Sequence, residues 1–311
     1  MIDVKNVSVT YKKNKVKILE NVSFQVGKGE IVALLGHNGS GKSTLLKCIT
    51  GVIKPIAGEI LVGSVDSFKD QKKLRKKMGV LFNQKPSFII DLEVIDNLYF
   101  FKEIYEIKDK EFQEKLNFCN QYLDIKNLYH KQYRKLSYGE RVKCEIISIL
   151  LHQPEYIYLD EPTNGLDLQA KKNVYNLLVK INELFNSTII IVTHEVEYLQ
   201  SYCDRAIILS DGEVLYDASA DELNSIISHE KLMRITYTDI LSKDKQNELS
   251  NRCVETGNHL GIYKYESEKE KSEILKIAAD AFDITNIEIE NTGIKEVYEY
   301  AIKKRNSNTK N

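Results

Sequence analysis

The 311-residue chain has no apolar run long enough to span a bilayer. Its first residues, Met1-Ile2-Asp3-Val4-Lys5, lack the charged-then-apolar layout of a secretory leader. Any membrane role is therefore expected to come through a partner. Neither charge is in excess: 44 Lys and Arg stand against 45 Asp and Glu, a net of −1. That balance gives no support to a nucleic-acid partner, which needs a basic face, and none is expected. The five cysteines, Cys48, Cys119, Cys144, Cys203 and Cys253, are odd in number, scattered and without a C-x-x-C pair. They read as reduced thiols of a cytosolic protein rather than a disulfide frame or a zinc site. No internal repeat and no sustained heptad pattern is present. The length allows one large core plus a smaller domain.

What is present is a glycine-rich loop in a telling context. Residues 31–35, Ile-Val-Ala-Leu-Leu, form an apolar, partly β-branched run that predicts a buried parallel strand. Gly36, His37, Asn38, Gly39, Ser40, Gly41, Lys42, Ser43 and Thr44 follow and fit G-x-x-x-x-G-K-[ST], a P-loop. Residues 45–49 continue as a helix. Backbone N–H groups of such a loop converge on phosphate oxygens, and the positive end of the helix dipole reinforces them. Lys42 would reach the β- and γ-phosphates, and the Ser43 hydroxyl would ligate Mg2+.

A second apolar strand, residues 156–160, ends in Asp160 followed by Glu161. Asp160 at a strand tip can hold Mg2+, and Glu161 can polarise an attacking water as a general base. Two exposed carboxylates at a strand end would look the same taken alone. Leu136-Ser137-Tyr138-Gly139-Glu140 opens a helical run and contains S-x-x-E, a capping box. A capped helix start beside a glycine can also bind an anion. Further strands are expected at residues 7–11, 22–26, 58–63, 80–82 and 188–192, and a hairpin around Asp211-Gly212. Lys12 to Lys17 reads as a polar turn. Residues 86 to about 152 have helical spacing and read as an insertion. Past about residue 230, strands at 234–237, 261–265 and 287–289 and helices at 270–282 and 294–304 suggest a small α+β domain. The tail, 305–311, is polar.

Taken in order, these motifs resemble the ABC-type ATPases over roughly residues 1–225. Leu-Ser-Tyr-Gly-Glu is similar to their LSGGQ signature, and it precedes Asp160 as theirs precedes the strand-tip aspartate. Gln84 after a short strand matches the Q-loop, Asn164-Gly165-Leu166-Asp167 the D-loop, His194 the switch histidine, and Tyr11 the aromatic residue stacked on adenine. Alone, Tyr11 would be a strand aromatic, Gln84 a turn residue and His194 a hydrogen-bonded strand-end histidine. The resemblance implies a P-loop NTPase of ABC type: an α/β fold with an antiparallel β subdomain, a helical insertion at about 86–152, an ATPase domain over 1–230 and a C-terminal α+β accessory domain over 231–311. It implies that Glu161, His194, Gln84 and Lys42 act in catalysis, and that Ser43, Gln84 and Asp160 hold Mg2+. Tyr11, residues 36–44, Ser137, Gly139 and Asp167 would bind ATP. The signature of one chain would meet the P-loop of another, so two chains, alike or different, would close two composite sites.

Two positions depart from the pattern: Tyr138 where glycine is usual, and Glu140 where glutamine is usual. A backbone amide still donates from Tyr138, though its ring could reshape the γ-phosphate pocket or touch the adenosine. Glu140 lies in a first turn, where the dipole favours it. Residues 81–86 and 92–101 resemble the ATPase subunits of bacterial exporters that work with a separate membrane permease. The expected place is thus the cytoplasm, peripheral to the inner face of the cell membrane. Aromatics between Phe88 and Tyr105 could line the permease groove or pack in the helical core. A soluble ABC ATPase without a permease and an importer ATPase are the alternatives.

Overall fold

The computed structural model describes residues 1–11, 16–82, 86–195, 199–219, 221–222, 231–257, 259–265, 267–290 and 301–302, with Gln84 and nearly all of the expected last helix, 294–304, outside them. It forms two compact units, one of residues 1–194 and 201–217 and one of residues 195–200 and 218–311.

The first unit runs β1 (Ile2–Tyr11), β2 (Val16–Val26), β3 (Ile31–Gly36), α1 (Lys42–Ile49), β4 (Ala57–Val62), β5 (Val65–Asp66), α2 (Gln71–Arg75) and β6 (Met78–Leu81). It continues with α3 (Val94–Ile104), α4 (Asp109–Leu123), α5 (Tyr138–Leu150), β7 (Tyr156–Asp160), α6 (Leu168–Phe185), β8 (Thr188–Val192), the second half of α7 (Leu199–Tyr202), β9 (Arg205–Ser210) and all but the last two residues of β10 (Glu213–Ser219). Strands β3, β7 and β8 are buried along their whole length, as strands covered on both faces must be. They lie in a six-stranded sheet of order β10-β9-β3-β8-β7-β6, in which β3 pairs in parallel with β8 and β9, and β7 with β6 and β8. This register aligns Asp160 with Val192 and Gly36 with Leu209, so the carboxyl ends of β3, β7 and β8 share one sheet edge. Ligands bind at that edge in open α/β sheets.

A second sheet, β2-β1-β4-β5, is antiparallel and shares one apolar core with the first through Val4, Leu34, Leu45, Tyr158 and Ile190 among others. Its strands exceed expectation: β1 begins at Ile2, and Val16 and Lys17 belong to β2 rather than a turn. Register shifts in β1 and left-handed φ values of 48° at Asn6 and 54° at Asn21 break the alternation there. Asp211 and Gly212, at φ 49° and 83°, make the two-residue turn between the neighbouring strands β9 and β10. The strand placed at 80–82 is β6, Met78–Leu81, and the insertion supplies helices α3 to α5.

The second unit runs β11 (Lys231–Ile240), α8 (Lys243–Glu248), β12 (Cys253–Gly257), β13 (Leu260–Tyr265), α9 (Glu268–Ala281) and β14 (Phe282–Glu290). This β-α-β-β-α-β succession makes an antiparallel sheet of order β12-β13-β11-β14, a ferredoxin-like arrangement. Met233, Ile235, Tyr237, Tyr263, Tyr265 and Phe282 pack with Ile274 and Ala278 of α9. The helix expected to reach residue 282 stops at Ala281, and Phe282 opens β14 opposite Ile240.

Candidate active site

The loop between β3 and α1 begins and ends as the P-loop pattern requires. Gly36 is the buried last residue of β3, Asn38 and Gly39 are exposed, and Ser40 is buried. Gly41 is the residue that only glycine suits. Its φ is 103°, and a Cβ there would meet Leu19 Cδ2 at 2.6 Å and Ile18 O at 2.9 Å. Lys42 opens α1 and folds back, donating from Nζ to Gly36 O at 2.7 Å and His37 O at 3.0 Å. Burial holds its ammonium below the usual lysine range, against the pull of the Glu161 and Asp160 carboxylates.

The tip of β7 faces this turn. Ser43 Oγ donates to Asp160 Oδ1 at 3.1 Å. Asp160 is buried, and burial pushes its carboxyl up; the Ser43 bond opposes that shift and the nearby Glu161 adds to it. Glu161 follows at φ 53°, with its N–H donating to Val192 O at 2.9 Å. Its carboxylate lies 3.4 Å from His194 Nδ1 through Oε1 and accepts from Asn164 Nδ2 at 3.4 Å through Oε2. Asn38, Gly39, Gly41, Lys42, Ser43, Thr44, Asp160 and Glu161 line one cavity of about 410 Å³, with Ile18, Lys47 and Phe82 completing its wall.

The other expected residues lie at helix starts. Ser137 caps α5 in a complete capping box: Glu140 N–H donates to Ser137 Oγ at 3.3 Å and Ser137 N–H to Glu140 Oε2 at 2.8 Å. That backbone bond holds the Glu140 carboxyl below the usual range. Asp167 caps α6, its Oδ1 accepting from Ala170 N at 2.8 Å. Ser137, Gly139 and Asp167 do not line the cavity around Lys42 in the same chain. Tyr11 ends β1, and its side chain is outside the description, as is Gln84.

The sequence reading missed a buried carboxylate beside the signature turn. Glu145, on α5, accepts from the Tyr133 hydroxyl, and burial pushes its carboxyl up. The Arg141 guanidinium stands 5.3 Å from the Tyr133 ring centroid. A carboxylate among the apolar positions of α5 was the available signal, since a buried acid needs partners.

A glycine loop at a helix start, a lysine turned into it and two carboxylates at the neighbouring strand tip define a P-loop nucleotide hydrolase. A family model described as ABC transporter matches residues 19–164. The chain is 32% identical over 261 residues to the methionine import ATP-binding protein MetN 1 of Bacillus cereus (strain ATCC 10987 / NRS 248), covering 80% of this chain and 74% of that protein. It is 30% identical over 212 residues to the ABC transporter ATP-binding protein NatA of Bacillus subtilis (strain 168), covering 68% of this chain and 86% of that one. The dimeric, post-hydrolysis structure of the ATP-binding cassette MJ0796 bound to ADP and Pi matches with a TM-score of 0.64 and 29% identity, over 71% of this chain and 99% of that one. The chain belongs to the ABC transporter family, as one of its ATP-binding subunits, and is an ATPase.

Proposed function

We propose that this ATPase drives transport through a separate membrane permease by closing a dimer on ATP. The observation that carries the reading is the convergence of Lys42, Ser43, Asp160 and Glu161 on one cavity at the start of α1. Amides of residues 38–44 would cradle the phosphates, and Lys42 would exchange its loop carbonyls for phosphate oxygens. Ser43 and Asp160, hard oxygen donors 3.1 Å apart, suit Mg2+, with Gln84 as a further ligand. When bound, the cation would neutralise phosphate charge. Glu161 would polarise the attacking water, and His194, in contact with it, would hold the γ-phosphate side of the site. Tyr11 would stack on adenine.

These donors reach the phosphates from one side only. Ser137, Gly139 and Asp167 would close the other side from a second chain, alike or different, and the dimeric state of MJ0796 supports that assembly. Closure on ATP and release after hydrolysis make a ligand-driven two-state switch.

The permease would dock on the exposed apolar side of the helical insertion. Ile89, Ile90, Tyr99, Phe100 and Ile104 are each between 42% and 52% exposed, while Phe88 is buried against Phe101 and Tyr133. Among the described residues no helix is long and apolar enough to cross a membrane, so the spanning part would be another polypeptide. The chain would then sit on the cytoplasmic face of the membrane, with residues 231–311 as an accessory domain for dimerisation or regulation. Export is the direction favoured by the resemblance of residues 81–101 to exporter subunits. Import is the second reading, favoured by the relative MetN 1, a methionine import ATP-binding protein. Affinity capture of the tagged full chain from solubilised membranes should bring down a hydrophobic permease. Reconstitution with it in vesicles would give the direction of ATP-driven movement. Capture without any integral membrane protein would overturn the reading.

A further inference from the structure

The signature turn of this chain carries an aromatic ring, and the ring has a defined seat. Gly165, in the turn after Glu161, has φ 70°, and a Cβ there would meet Tyr138 Cδ1 at 2.9 Å and Cε1 at 3.1 Å. The ring thus rests on the face of a glycine that has no side chain to lift it. The next residue makes a second contact: a Cβ at Gly139 would meet Leu166 Cδ2 at 3.1 Å. The first two residues of α5 therefore abut residues 165–166.

That stretch is short and tied to the candidate base. Asn164 N–H donates to Glu161 O at 3.2 Å, and Leu166 N–H to Thr163 O at 3.1 Å. The Asn164 side chain also reaches the Glu161 carboxylate. One end is fixed by Glu161 N–H on Val192 O, the other by the Asp167 cap on α6. Tyr138, Asp160 and Glu161 line a common cavity of about 140 Å³, together with Tyr133, Arg141 and Glu145. Burial pushes the Tyr138 phenol up, and the Glu145 and Glu161 carboxylates add to that shift, which places the ring in the field of both acids.

We propose that Tyr138 is a positioning residue for hydrolysis: seated on Gly165, it couples the signature turn to the Glu161 carboxylate of the same chain. The inference rests on Glu161 acting as the base. In this arrangement a shift of the first turn of α5 cannot occur without pressing on residues 161–165, because packed contacts transmit displacement rather than absorb it. The binding of nucleotide at a neighbouring chain's P-loop, sensed at Ser137 and Gly139, is thereby passed to the chain's own Glu161. A glycine at 138 would leave the two segments joined only by the lighter contact of Gly139 with Leu166.

The test is steady-state hydrolysis and ATP-binding calorimetry on the full chain bearing Tyr138→Phe, Tyr138→Ala, Gly165→Ala and the double substitution. Phe keeps the ring and should hold kcat within about twofold; Ala should lower kcat about tenfold and leave ATP affinity unchanged. Gly165→Ala should cost kcat when the ring is present and clearly less when it is absent, so that the two effects do not multiply. Full kcat in Tyr138→Ala, multiplying effects, or a loss confined to ATP affinity would each overturn the proposal. Glu161→Gln separates the two readings. Turnover retained there removes the base assignment itself. Turnover lost there but kept in Tyr138→Ala removes only the role of Tyr138.

Discussion

Ser43 donates its hydroxyl to Asp160 across a 3.1 Å gap, joining the first turn of α1 to the tip of β7. The pair stands where a phosphate-bound cation would be held, and it supplies hard oxygens only. Asp160→Asn keeps the shape of the side chain but removes its charge. We expect Asp160→Asn and Ser43→Ala each to raise the Mg2+ concentration needed for half-maximal hydrolysis by roughly 10–100-fold. An unchanged Mg2+ titration in both variants would remove the pair from the cation site.

Glu161→Gln should retain ATP binding and lose turnover by about 10²–10⁴-fold, the range general-base removal covers. With hydrolysis stalled, ATP should hold two chains together. Size-exclusion chromatography with ATP is expected to show a dimer that the wild type gives only transiently. Near-normal hydrolysis would return Glu161 to a hydrogen-bonding role with His194 and Asn164.

The parts of this site that could be read from the sequence are those made by residues close together in the chain. The P-loop, the Asp160-Glu161 pair and the Ser137–Glu140 capping box are local patterns whose geometry follows from spacing. Tyr138 on Gly165 and Tyr133 on Glu145 are contacts between separate segments, and no periodicity announces them. The same distinction holds for the fold. Buried β7 and β8 were plain as apolar runs. The first half of β1 was not, because its register shifts and the left-handed Asn6 interrupt the alternation that marks a strand. Nor was the end of α9, where Ala281 and Phe282 are both buried and apolar while the backbone changes from helix to strand. β12 was missed because four of its five residues are exposed, so no apolar face marks it.

Tyr11→Ala should weaken ATP binding by about 1–3 kcal/mol, the loss typical of removing an aromatic stacked on a base. GTP and ATP should lose affinity to a similar degree, since stacking tolerates either purine. Calorimetry with both nucleotides is the check, and unchanged affinity would make Tyr11 a strand residue only.

His152 should make stability pH-dependent on the acid side. Its ring stacks on Tyr105 with centroids 3.8 Å apart and planes 3° from parallel. Nε2 donates to Met78 O at 3.0 Å, so the neutral ring leaves Nδ1 bare, and that atom is buried without a hydrogen-bond partner among the described residues. A second proton would have to go on Nδ1, where no described residue accepts it. Burial accordingly holds the His152 pKa down to about 4, with Lys115 adding to the shift and the Met78 bond opposing it. The unfolded chain, with an ordinary histidine near 6.5, binds that proton more readily. Stability from this group is therefore complete above about pH 6.5 and falls as the pH drops toward 4, by about 2 kcal/mol at pH 5. His152→Gln keeps a donor for Met78 O and cannot titrate. Urea unfolding of both proteins at pH 7.5 and pH 5 should show the wild type losing about 2 kcal/mol more than the variant. Equal losses would mean that His152 is protonated as easily in the folded protein as in the unfolded chain.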